Sequence, residues 1–196
     1  MTETVRIPRA ELSGVQGRLL KLAIRKKIGR VPDSVAVMWN HPTVFKDMMR
    51  VGARTEKWDR LDANLASFAV MAAAAEIGCH ACLDLNYFMT HNKGLAVEKA
   101  REVPRWREST VFTPLERRVM EYATAMCQTP LTVTDEMAAA LLADLGPDGL
   151  IELTSKVGFM NLAARSNVAL GIPSEHFAES CGLQPLAGRP ARVPMP

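Results

Sequence analysis

Aromatic residues make up only 6% of this 196-residue chain, so its core must come from aliphatic and thioether side chains. Net charge is also scarce. A formal +3 is too little to imply a nucleic-acid partner, and no basic tract is interleaved with aromatics. The one basic cluster, Arg25-Lys26-Lys27, reads as a solvated helix end. No apolar run reaches the roughly 18 residues that a membrane span requires. The opening MTETVRIPRAEL lacks the apolar centre of a signal peptide. These absences together predict a cytoplasmic protein that engages neither membrane nor nucleic acid. Cysteine is sparse too, with four in the whole chain, and Cys127 and Cys181 stand alone. No internal repeat, domain linker or convincing strand pattern is present.

What the chain does have is apolar content, 48% of residues, carried by Ala, Leu, Val and Met without β-branched alternation. That composition favours helices, and the expected fold class is all-α, a single-domain helical bundle. Glu11–Lys27 places Leu12, Val15, Leu19, Leu20, Leu22 and Ala23 at helical spacing. Ser34–Trp39 is a short helical candidate, and Pro42 suits the first turn of the next. Lys57–Ile77 is the longest apolar pattern. Its second half, SFAVMAAAAEIG, is apolar nearly all round, which predicts a central helix or a subunit interface. Ala96–Trp106 forms a short helix interrupted by Pro104. Thr113 with Glu116 spells a capping box. A helix from Thr134 or Asp135 stops at Gly146, Pro147-Asp148 opens another, and Gly171-Ile172-Pro173 ends it. Residues 1–58 are a helical lead and 59–173 the core. Residues 174–196 gather prolines and are expected to form an irregular arm.

The chemistry concentrates in Glu76–Gly94, EIGCHACLDLNYFMTHNKG. Gly78 breaks one helix, and the next begins with Cys79 in its first turn. A helix N-terminus offers free N–H groups and partial positive charge, which stabilise the thiolate, the reactive form of cysteine. Cys79, Cys82 and Asn86 follow at i, i+3 and i+7. His80, Asp84, Tyr87 and His91 make a neighbouring stripe. Leu85 and Met89 mark the core side with Cys82, so the second cysteine is expected to be the more buried. In a reducing compartment a Cys-x-x-Cys pair is more often redox-active or metal-binding than a structural staple. Two cysteines with His80 or His91 make an incomplete zinc set, so the redox reading leads. Glu76, His80 and Asp84 are the candidate proton-transfer groups. Each also has a plain structural reading as a salt-bridge, helix-start or dipole-stabilising residue. Asn161, Arg165 and Asn167 punctuate an apolar helix and need partners, with Glu152, Asp84 or groups across a subunit boundary as candidates.

The segment from about Asp62 to Pro173 resembles the carboxymuconolactone decarboxylase and alkylhydroperoxidase D-like family. The resemblance rests on an apolar helix running into GCHAC and on a helix ending in Gly94-Leu95. Downstream, FTPLERRVMEYATAM, VTDEMAAALLADLG and LIELTSKVGFMNLAARSNVALGIP follow in the family's order. It implies a thiol peroxidase or thiol–disulfide oxidoreductase without organic or metal cofactor. In that scheme Cys82 attacks a small hydroperoxide, Cys79 closes the disulfide, and a lipoyl or thioredoxin-type dithiol returns the electrons. It also implies a homo-oligomer, a trimer or a multiple of it, with a dimer as the alternative.

Two positions depart from the family pattern. Asn86 stands where the hydroperoxidases carry a His four residues after the second cysteine, and Ser67 stands where they carry a Glu. Asn does not exchange protons near neutral pH. Two other functions therefore stay open, a non-catalytic redox-sensing or interaction scaffold and acid–base chemistry on a small carbonyl compound.

Overall fold

A computed structural model describes residues 5–188, and within them every regular element is helical. The order is α1 (Gly14–Ile28), α2 (Asp33–Met38), α3 (Pro42–Thr55), α4 (Ala63–Ile77), α5 (His80–Asn92), α6 (Val97–Glu102), a 3-10 turn (Val103–Arg105), α7 (Pro114–Ala125), α8 (Asp135–Leu170) and α9 (Phe177–Ser180).

Helix α4 is the centre. Its Phe68, Ala69, Met71, Ala72, Ala73 and Ala74 are essentially inaccessible, and it packs on α5, α7 and α8. The alanines let those helices approach closely, while Phe68 and Met71 fill the gaps. Each large side chain so buried contributes roughly 1.5–3 kcal/mol. Much of the apolar run is thus buried inside its own chain, as a central helix. The helix also starts later than its pattern. Asp62 accepts the N–H groups of Asn64 and Leu65 at 2.9 and 3.1 Å and sets the first turn. Residues 57–62 form a linker, pinned where Glu152 accepts the Arg60 N–H at 2.7 Å.

The other predicted boundaries hold in outline. Thr113 and Glu116 form the reciprocal capping box. Helix α8 is two helices joined at a kink, where Gly146 takes φ 69 and ψ 174 just before Pro147. A smaller cluster of Ile24, Val35 and Phe45 knits α1–α3 together. Helix α1 turns Leu20 and Ile24 toward that cluster and leaves Val15, Leu19 and Leu22 exposed.

Both chain ends differ from expectation. Arg6, expected in a loose lead, donates its backbone N–H to the Leu170 carbonyl at 3.0 Å and its side chain to that of Ala169 at 2.8 Å. The last carbonyls of a helix have no internal partner, and this strand of chain supplies one. The expected arm contains α9 and lies on its own domain. Tyr87 donates to the Gln184 carbonyl, Arg101 to that of Pro185, and Ala187 to that of Arg101. Pro190, Pro194 and Pro196 lie outside the described residues.

The turn between α4 and α5 sets everything that follows. Gly78 adopts φ 84 and ψ 25, the left-handed region. The N–H of Cys79 then reaches back to the Ala74 carbonyl at 2.9 Å, and that of Gly78 to Ala75 at 3.2 Å. This is the Schellman closure of a helix end. A Cβ added at Gly78 would meet no atom within 4 Å, so only backbone strain opposes a side chain there. Gly78→Ala is expected to lose about 1–2 kcal/mol of stability. Urea denaturation checks this through a lower midpoint at unchanged slope.

Candidate active site

Cys79 serves two helices at once. Its backbone N–H closes α4, and its side chain is the N-cap of α5. The Sγ accepts the backbone N–H of Cys82 at 3.2 Å. Cys79 therefore stands just before the helix rather than within its first turn, in the place Ser or Asp usually fills. Both cysteines are buried, Cys79 at 2% and Cys82 at 6% exposure, so the second is not the deeper one. The inward face of α5 is Leu83, Tyr87 and Phe88, with Leu85 and Met89 only partly covered. None of the four cysteines is joined in a disulfide.

Asn167 of α8 brings the third polar group. Its Nδ2 donates to Cys82 Sγ at 3.3 Å. Hydrogen bonding to the Cys79 sulfur, burial, and repulsion by charge there push the Cys82 thiol upward, and the Asn167 amide opposes them. The pair thus holds one negative charge far more readily than two. Asn86, one turn beyond Cys82, turns its amide to the Cys82 carbonyl at 2.8 Å. Ser67, at the family's Glu position, pairs its hydroxyl with that of Thr90 at 2.6 Å. Neither position offers a titrating group.

The candidate relay residues are dispersed. His80 is the first residue of α5 and exposed, directly after Cys79. Glu76 is half-buried and accepts from Gln128 at 3.1 Å. Its carboxylate lies near Cys127, whose thiol is pushed up chiefly by burial, with Glu76 adding to the rise. Asp84 is buried and occupied elsewhere. Its carboxylate accepts the N–H groups of Phe177 and Ala178 at 2.8 and 3.0 Å and the Ser174 hydroxyl at 3.2 Å. It fastens the C-terminal arm to the cysteine helix. His91 is exposed at the far end of α5. Among the described residues no group of three or more His, Cys, Asp or Glu is arranged to hold a metal ion.

The polar stripe on α8 finds other partners than those expected. Asn161 donates to Cys127 Sγ at 3.5 Å, and Arg165 donates to the Cys127 carbonyl. Glu152 pairs with Lys156 at 3.4 Å. Asn167 had a signal in the sequence. The buried positions Leu153, Val157, Met160 and Ala164 step along one face, and Asn167 is the next in register. An amide at a core position must find a partner, and here the partner is a sulfur.

The chain is thus an α-helical bundle centred on a glycine-broken helix pair, with two thiols at the second helix's start. The sequence pattern of the carboxymuconolactone decarboxylase family matches residues 42–125. The chain is 32% identical over 152 residues to an uncharacterized Escherichia coli K12 protein, YnjA, covering 77% of this chain and 84% of that one. This chain belongs to the carboxymuconolactone decarboxylase family. Solved structures share the fold at lower identity. One is the debrominase Bmp8, also solved with 2,3,4-tribromopyrrole bound, at TM-score 0.77, 15% identity and 90% and 95% coverage of the two chains. Another is an alkylhydroperoxidase-core, peroxidase-related protein from Ralstonia eutropha JMP134, at TM-score 0.72, 20% identity and 88% and 93% coverage.

Replacing Asp84 separates a fastening role from proton transfer. Asp84→Ala leaves two buried N–H groups without their acceptor, at about 1–3 kcal/mol each. The expected result is a lower melting temperature and faster amide exchange at Phe177 and Ala178, with alkylation rates of Cys79 and Cys82 within about twofold of wild type at pH 7. Hydrogen-exchange and alkylation mass spectrometry check both.

Proposed function

We propose that this protein is a thiol-dependent antioxidant oxidoreductase that reduces small hydroperoxides through a Cys79–Cys82 dithiol/disulfide cycle. The observation that carries the reading is the pair itself. Two buried thiols share the N-terminus of α5, and the Cys79 sulfur already accepts a backbone N–H. Such a site stabilises a thiolate without a cofactor. Overall, hydroperoxide and two thiols give alcohol, water and disulfide. A dithiol carrier of lipoyl or thioredoxin type returns the two electrons. His80, exposed beside Cys79, is the leading group for moving protons, and Glu76 is the second. Asp84 is committed to the arm.

Among the described residues no helix is long and apolar enough to cross a membrane, and we assign the protein to the cytoplasm, where reduced dithiol carriers are abundant. It acts as a homo-oligomer. The exposed Val15, Leu19 and Leu22 on α1, not the buried α4, support association between copies.

A second reading keeps the pair and changes the electrophile. Removal of bromine from an electron-rich ring is also a two-electron reduction, giving C–H, bromide and disulfide. It is favoured by the debrominase fold likeness and by the replacement of the family's His and Glu with Asn86 and Ser67.

Stopped-flow thiol counting tests both. Fully reduced protein is mixed with hydrogen peroxide, cumene hydroperoxide or 2,3,4-tribromopyrrole. Loss of two thiols per peroxide, at least about 100-fold faster than an ordinary thiol and abolished in Cys79→Ser/Cys82→Ser, is expected. Fast loss only with the bromopyrrole selects the second reading. Reaction with none of the three removes both and leaves a scaffold or an acid–base enzyme.

A further inference from the structure

In the N-terminal part of the chain, α1, α3 and the end of α2 enclose a cleft of about 500 Å³, within the size range of small-molecule sites. Phe45 is buried at its floor and meets Trp39 edge to face, with ring centres 5.7 Å apart. Leu20 continues the floor, and Leu19 and Met49 form rims that are 63% and 49% exposed. Gln16, Lys46 and Arg50 complete the lining, which contains no Asp or Glu. Lys46 is tethered over the apolar floor. Its Nζ donates to Gln16 Oε1 at 2.6 Å, bridging α3 to α1, and stands 5.9 Å from the Trp39 ring centre. That bond uses one of the three N–H donors of the ammonium. Arg50 pairs with Asp47 at 2.9 Å, an exposed contact of little weight. The charge beside the cleft has one sign, because α1 carries Arg18, Lys21 and Arg25 and no acidic residue within Gly14–Ile28. The whole chain is only +3, so this is a local concentration.

We propose that this cleft binds an amphipathic organic anion, a medium-chain aliphatic carboxylate, with its tail on Leu20, Trp39 and Phe45 and its carboxylate on Lys46. Charge complementarity selects the occupant. A neutral apolar guest would cover the tethered ammonium without pairing it, and an unpaired charge loses hydration when covered. A carboxylate takes a free N–H of Lys46 in a charge-assisted bond, which is shorter and stronger than a neutral one. The shape selects a single tail, since the floor is buried and the rims stand above it. Of the α1 residues that support association between copies, only Leu19 borders the cleft, and Val15 and Leu22 do not. Helix α1 and Trp39 precede residues 42–125, which carry the family pattern, so one wall of the site lies outside that pattern. Neither Cys79 nor Cys82 lines the cleft, and binding there is independent of the dithiol cycle.

Calorimetric titration of the full chain tests the site with hexanoate, octanoate and decanoate, all below micelle-forming concentrations, and with 1-octanol as the uncharged control. One site per chain is expected, with affinity rising about two- to fourfold per added methylene. Octanoate should bind at least about tenfold more tightly than 1-octanol. Lys46→Gln should weaken octanoate about tenfold, the scale of a hydrogen bond to a charged group, and leave 1-octanol within about twofold. Lys46→Arg should recover part of the loss. In nuclear magnetic resonance spectra the indole N–H signal of Trp39, assigned with Trp39→Phe, should move while those of Trp58 and Trp106 stay in place. The Cys79→Ser/Cys82→Ser protein should bind octanoate as wild type does, so inertness to peroxide would leave this result intact. Equal affinity for octanoate and 1-octanol, an unmoved Trp39 signal, or no effect of Lys46→Gln overturns the proposal. So does sedimentation with phosphatidylglycerol vesicles in the absence of octanoate binding, which would make this face a membrane contact. Octanoate binding that emerges only on dilution to monomers also overturns it, and assigns the cleft to a second copy of the chain.

Discussion

The structure depends on one residue that ends a helix and begins another. Gly78 enters the left-handed region, and Cys79 can then return its N–H to Ala74 while its sulfur caps α5. Neither half works alone. Without the Schellman turn the chain would not reverse within two residues. Without the sulfur at the N-cap, the first turn of α5 would lose a partner for the Cys82 N–H. Stability and the proposed redox cycle thus draw on the same few atoms, and oxidising the pair would alter a helix cap.

The rest of the fold holds that turn still. Helix α4 is fully buried from Met71 to Ala74, which anchors the chain just ahead of that turn. Helix α8 crosses the bundle and delivers Asn167 to Cys82. Asp84, two residues beyond Cys82, gathers the segment after α8 through three hydrogen bonds. Glu175 in that segment accepts the Asp33 N–H at the start of α2. The cysteine helix is therefore linked to the N-terminal helices through a short polar relay of structural contacts.

Much of this was legible in the sequence where local chemistry decides the outcome. The capping box at Thr113, the break at Gly146-Pro147 and the glycine before Cys79 each act within a few residues of themselves. The cysteine pair was legible for the same reason. What the sequence did not convey was side-chain allegiance across the fold. Asp84 shares a helical stripe with His80, yet one is buried under the arm and the other faces solvent. Stripe geometry gives direction, not depth. Asn167 was visible as a polar residue in a core register, but its partner, 85 positions away, depends on how α8 crosses α5. The end segments were underestimated because most of their contacts use a backbone N–H or carbonyl on one side, which composition does not encode.

The central claim is that Cys79 and Cys82 form a reversible two-electron couple. The direct measurement is a redox titration of the intact chain in dithiol/disulfide buffers, read by mass spectrometry of alkylated protein. The account predicts a single two-electron transition assigned to the Cys79–Cys82 peptide, within roughly −320 to −180 mV, the span covered by cellular dithiol systems. Thiols at Cys79 and Cys82 that stay reduced throughout that span would contradict it.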